Sequence, residues 1–218
     1  MLIITDHDGH RNGLQLVTLY AGIESDAKSV VVHRDFACHY SPVLKAAFNS
    51  KFIEGQTQKY RIDEDDEEVI RLLVHWLYTQ QLDIHQLSED AQEDKIGVLD
   101  KEQLCLVKLW VLADKLLIPQ LQNMTLDFLN EIRLESKTDT CSKCLEYVCA
   151  NTSKDSGLRR WFVHRCAFRM DPNAFLNHPE RFPQQMLLEI VTSLSEWSKS
   201  QRRPHTRTRD YKVEVPEQ

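Results

Sequence analysis

The chain has 218 residues, 42% of them hydrophobic, and a formal net charge of −6. That length and apolar content suffice for one core of roughly 100–150 residues with a smaller appended piece, and they exclude disorder throughout. The acidic balance argues against a whole-chain footprint for nucleic acid or an anionic membrane, both of which favour a basic surface. No stretch reaches the roughly 18–20 consecutive apolar residues of a membrane span. Met1-Leu2-Ile3-Ile4 runs straight into Asp6, His7 and Asp8, unlike a signal peptide. The six cysteines, Cys38, Cys105, Cys141, Cys144, Cys149 and Cys166, are therefore expected to be reduced thiols, and the protein is expected in the cytosol or nucleus.

Leu14 to Tyr20 mixes alternation with β-branched and aromatic residues between Gly13 and Gly22, which predicts a strand. Ser29-Val30-Val31-Val32-His33 predicts a second, joined to the first by a polar hairpin connection. Arg34 to Cys38 leads on to a short helix, with Ser41 as N-cap, Pro42 at the first helical position and Val43, Leu44, Ala47 and Phe48 on one face. Lys59 to Ile62 is a third strand candidate.

The acidic run Asp63 to Glu68 invites a metal or partner-tail reading, but carboxylates in a first turn interact favourably with free N–H groups and the helix dipole. It is read as the start of a core helix over Glu67–Thr79, whose stripe is Val69, Ile70, Leu72, Leu73, Trp76 and Leu77. Asp83 to Lys101 is polar and without periodicity, which predicts a surface loop with a strand turn at Leu82-Asp83-Ile84.

Leu104 to Leu117 is apolar nearly all round, as a buried helix is. Pro119 restarts the chain as a second helix over Gln120–Ile132, so the two form an αα-hairpin with a tight Ile118-Pro119 corner. Beyond Leu134, residues 136–140 read as a linker, Cys141–Ala150 and Leu158–Arg169 as helices, and Pro183 to about Lys199 as a last helix. The polar residues 200–218 read as a disordered tail.

In that order, these elements resemble the BTB/POZ fold. Val32-His33-Arg34-Asp35-Phe36-Ala37-Cys38 followed by Ser41 to Phe48 resembles the family's histidine-led strand end and its Ser-x-x-Phe helix, with Leu44 where an aromatic usually sits. His75-Trp76-Leu77-Tyr78-Thr79 is similar to the aromatic-Leu-Tyr-Thr end of the family's central helix, and Leu112-Ala113-Asp114-Lys115 to its hairpin string. No single string is specific, but their common order and spacing is. The chain looks most like the short BTB-only proteins of filamentous fungi.

The resemblance implies an α/β (α+β) fold, a small mixed sheet capped by a helical bundle. It divides the chain into a short segment 1–12, a BTB/POZ domain over 13–132, a small helical BACK-like extension over 136–199 and the tail 200–218. Two departures stand out. Leu16 occupies the position where many relatives carry an Asp that pairs with a basic residue, here Arg34; a buried arginine without its carboxylate is costly, so Arg34 is expected to be solvated or paired elsewhere. Thr5 to Asn12 lacks the amphipathic first helix of the dimerising subgroup, which weakens the homo-oligomer that the family otherwise allows.

The implied function is a non-enzymatic protein-interaction adaptor. Phe52-Ile53-Glu54 fits the hydrophobic-x-Glu pattern by which relatives bind a cullin N-terminal domain for substrate recruitment to a ubiquitin ligase. With Phe48 these form the candidate partner-binding set, since an apolar anchor gives affinity and a neighbouring carboxylate fixes orientation. A scaffold in transcription or chromatin regulation is the alternative, although it would usually carry a DNA-binding module. The remotest reading is a zinc or thiol protein using Cys141 and Cys144. A zinc site needs four ligands, and Cys141, Cys144, Leu145 and Val148 have the spacing of one buried helix face.

His33 and His75 read as structural histidines, and no glycine-rich phosphate loop exists among the 6 glycines. No catalytic residue, cofactor or small-molecule substrate is therefore expected. The basic residues from Lys199 to Lys212 read as a solvated tail in preference to a nuclear-localisation or nucleic-acid patch.

Overall fold

Alternation in the first strand carries through to burial. In β1 (Leu16–Ala21), Val17, Leu19 and Ala21 are buried while Leu16 faces solvent, so one face of the sheet meets the core. β2 (Lys28–His33) pairs antiparallel to β1 in the register Leu16 to His33, and β3 (Lys59–Ile62) pairs parallel to β1 from Thr18 to Lys59, giving the order β2-β1-β3. The computed structural model describes residues 15–22, 28–62, 66–83, 95–136, 142–200 and 207–216.

Two compact units emerge, Met1–Gln81 with Lys115–Ile118, and Leu82–Asp114 with Pro119–Gln218. In the first, α1 (Arg34–Tyr40) follows β2 directly. The sequence pattern gave no helix there, because its 7 residues bury only Ala37 and show no stripe. α2 (Pro42–Phe48) begins as expected: the Ser41 hydroxyl accepts from Leu44 N at 3.1 Å and donates to Leu116 O at 2.7 Å, so one buried side chain ties two segments. α3 (Ile53–Thr57) is a single turn that composition did not reveal.

α4 (Glu67–Thr79) buries the expected stripe and is N-capped by Asp66. Glu68 pairs with Arg71 one turn on, and Glu67 with Lys28. The described part of the acidic run thus starts a helix, while residues 63–65 lie outside the described residues.

Arg34 is half-buried and is paired elsewhere, as its missing carboxylate required. Its Nη2 donates to Asn49 Oδ1 at 2.5 Å, and its Nε is buried without a partner.

α5 (Lys95–Lys115) opens the second unit and corrects the loop expected up to Lys101. Residues 97–101 are half-buried or exposed and the first buried side chains, Glu102 and Gln103, are polar, so this part of the helix carries no apolar stripe for periodicity to register. Leu82 and Asp83 form no strand, and Ile84 lies outside the described residues. Leu117, in the turn before Pro119, takes a left-handed φ of 54°, a strained conformation for leucine.

α6 (Pro119–Ser136) completes the hairpin. α7 (Ser142–Asn151), α8 (Gly157–Arg169) and α10 (Gln184–Ser200) pack mutually, and the short α9 (Pro172–Asn177) and a 3-10 turn at Pro179–Arg181 were not foreseen.

Their junction is Arg159, which is buried. It donates from Nε and Nη2 to the two carboxylate oxygens of Glu189 at 3.0 and 2.8 Å, and from Nη1 to Cys149 O and Thr152 O at 3.0 Å each. A buried guanidinium is tolerated because its donors are matched by a bidentate carboxylate and two carbonyls.

Residues 207–216 correct the expectation of a disordered tail over 200–218. They form a 3-10 turn at Thr208–Asp210 followed by an extended segment seated on α6 and α8, with Tyr211 buried.

Candidate functional site

The sequence-predicted partner site sits at the corner between α2 and β3. Phe52 is 76% exposed and Ile53 64%, whereas Glu54 is half-buried in the first turn of α3. Phe48 is placed differently from the solvent-facing residues: it is 2% exposed and packs edge-on to Tyr60 at 6.3 Å between centroids. The amphipathic α2 turns Leu44 and Phe48 into the core together, so Phe48 supports the corner from beneath and offers no surface of its own.

What holds two large apolar side chains in water is a set of hydrogen bonds to the backbone around them. Ser50 Oγ donates to Ala47 O at 2.8 Å and accepts from Phe52 N at 3.1 Å. Gln56 N donates to Phe52 O at 3.0 Å, and its side chain reaches Lys51 O at 2.8 Å. Gln58, at a left-handed φ of 55°, donates from Nε2 to Phe48 O at 3.1 Å and Gly55 O at 2.7 Å, while its carbonyl accepts from Thr18 N at 3.0 Å.

Gly55 is required at this corner, since a Cβ there would lie 1.9 Å from Ser50 O. These bonds anchor the corner to the sheet and fix the backbone from which Phe52 projects. Sequence reading named Phe52, Ile53 and Glu54 as candidates and did not single out Ser50, Gln56 and Gln58, which hold the backbone around them. The lone Gly55 beside a run of hydrogen-bonding side chains was the available signal.

On the same unit, Tyr78 Oη accepts from His33 N at 2.9 Å and lies 2.8 Å from His33 Nδ1, with Phe36 packed 4.8 Å from the tyrosine ring. A hydroxyl that already accepts is free to donate to Nδ1, so this histidine pins the end of β2 to α4. His75 contributes its carbonyl to Thr79 Oγ1 at 2.8 Å.

A match to the family model for the BTB/POZ domain covers residues 16–133, more than half of the chain. The chain belongs to the BTB/POZ domain family. No curated protein matches it. BTB/POZ domains are protein-interaction modules, and the fold of this one, a small mixed sheet with helices, is the α+β arrangement expected of the family.

Among the described residues, no group of three or more His, Cys, Asp and Glu side chains is placed to hold a metal ion, and no helix is long and apolar enough to cross a membrane. Cys141 lies outside the described residues. Cys144 is buried beside Leu145 and Val148, and Cys38 and Cys149 are free thiols. Burial pushes the thiols of Cys38 and Cys149 up from their ordinary value, against the pull of Arg34 and Arg159 respectively, which keeps both in the less reactive protonated form.

Proposed function

We propose that this BTB/POZ protein is an adaptor whose Phe52-Ile53-Glu54 corner docks the N-terminal domain of a cullin, with the helices of 136–199, read as a reduced BACK-like extension, offering the surface that recruits a substrate. The observation that carries this reading is the exposure of Phe52 on a corner whose backbone is fixed by Ser50, Gln56 and Gln58. A pre-ordered backbone loses little conformational freedom on binding, and burying the aromatic side chain contributes about 1.5–3 kcal/mol. Ile53 extends the apolar contact, and the Glu54 carboxylate supplies a charge by which a basic partner groove sets the register.

The test is a pull-down of a cullin N-terminal domain with wild-type chain and with Phe52→Ala/Glu54→Ala, folding being checked by circular dichroism. Capture by the wild type and loss in the folded double variant is the expected result. Equal capture of both would remove the corner from the interface, and no capture by the wild type would remove the ligase reading for that cullin.

A further inference from the structure

The segment 207–216 is held in an unusual way for part of a fold. Of its residues only Tyr211 is buried, at 3% exposure; an element that contributes to a core buries several side chains. The other described contacts that fix it are largely polar. Asn123 of α6 brackets Val213, accepting from its N–H at 2.9 Å and donating to its carbonyl at 3.0 Å, which reads an extended backbone whatever the side chain. Asp127, one turn on, accepts from Thr208 Oγ1 at 2.7 Å and pairs with Lys212.

On α8, His164 Nδ1 meets Tyr211 Oη at 2.8 Å and the Arg160 guanidinium lies 5.8 Å from the centre of the tyrosine ring. At Gly157 the backbone of the segment comes so close that a Cβ would stand 2.0 Å from Tyr211 O. One aromatic anchor in a slot, a two-point clamp on the main chain and a carboxylate for the neighbouring lysine are the features of a bound linear peptide.

We propose that the α6–α8 face is a peptide-recognition groove for extended segments in which a tyrosine is followed by lysine, and that residues 207–216 are the ligand it holds at rest. The tail then acts as a tethered competitor, and a partner presenting the same chemistry gains the groove by displacing it. A tethered segment acts at an effective concentration on the order of millimolar, so access for a free peptide rises as the tail is weakened.

The experiment measures binding of a fluorescent peptide with the sequence of residues 207–216 to the full chain, by anisotropy. The wild type is expected to bind at least about ten-fold more weakly than Tyr211→Ala, whose own tail lacks the anchor. Tyr211→Ala/Asn123→Ala should lose that binding, and a peptide carrying alanine at the tyrosine should bind neither form. Should Tyr211→Ala not fold, Thr208→Ala/Lys212→Ala, which keeps the anchor and changes only residues outside the core, replaces it with the same expected gain over wild type. Failure of the folded weakened-tail chains to bind the peptide, or equal binding by wild type and weakened-tail variants, would overturn the proposal.

Discussion

The corner of the first unit and the tail seat of the second treat an aromatic side chain in opposite ways. At the corner, Phe52 is left in water by a backbone that Ser50, Gln56 and Gln58 hold in place. At the seat, Tyr211 is covered, but the segment that carries it is held largely by side chains at the surface. In the first case a rigid scaffold presents an apolar group that contributes nothing to its own fold. In the second, a scaffold covers an apolar group whose segment it grips mostly through polar contacts. Exposure and burial alone do not distinguish these two settings, because they leave out which groups fix the backbone around each ring.

The largest effect is expected where the second unit depends on one residue. Arg159→Ala leaves the half-buried Glu189 carboxylate and two carbonyls without their donor, and should cost about 3 kcal/mol in urea unfolding, the low end for a broken buried pair. The corner of the first unit should be broken by Gly55→Ala, whose Cβ meets Ser50 O. A loss of about 1–3 kcal/mol is expected with loss of cullin-domain capture, and stability measured without capture separates the two.

Gly157→Ala is the counterpart at the seat. The added Cβ lies against Tyr211 O and should expel the segment, seen as faster tryptic cleavage at Arg207, Arg209 or Lys212. Alanine is the better helix former by up to about 1 kcal/mol, so α8 itself should not weaken.

A smaller effect follows from pH. His164 is held below its ordinary value of 6.5 by burial first and by Arg160 second, with Glu196 opposing and Tyr211 at its Nδ1. A lowered histidine binds protons more readily when unfolded, so its contribution is full above about pH 6.5 and is lost as pH falls below it toward the lowered folded value. Thermal midpoints should therefore fall from pH 7.5 to 5.5 more steeply in wild type than in His164→Asn, which keeps an acceptor but does not titrate. At the alkaline end Tyr211, pushed up to about 12 by burial and then by Asp210, contributes stability that is full below 10 and lost as pH rises through 12. The smallest change in stability should come from Phe52→Ala, within about 0.5 kcal/mol, because an exposed side chain leaves no cavity. If capture by the cullin domain falls at least about ten-fold in the same variant, the corner is a binding surface that the fold does not need.

The sequence by itself determined the strands, α2, α4, the hairpin restart at Pro119 and the family. Each rests on local chemistry: alternation in Leu16–Ala21, Ser41 and Pro42 at a helix start, and an uninterrupted stripe from Val69 to Leu77. It also singled out Phe52-Ile53-Glu54, since an apolar pair next to an acid between two elements is visible without coordinates. Only the tertiary structure decided that α5 begins at Lys95, that Phe48 turns inward and that Arg159 joins three helices. It alone seated Tyr211 on α8, 47 residues from its partner His164 in sequence. The physical reason is the same in each case: periodicity and capping act within a few residues, whereas a buried polar side chain or a docked polar segment is stable only once distant donors and acceptors are brought to it.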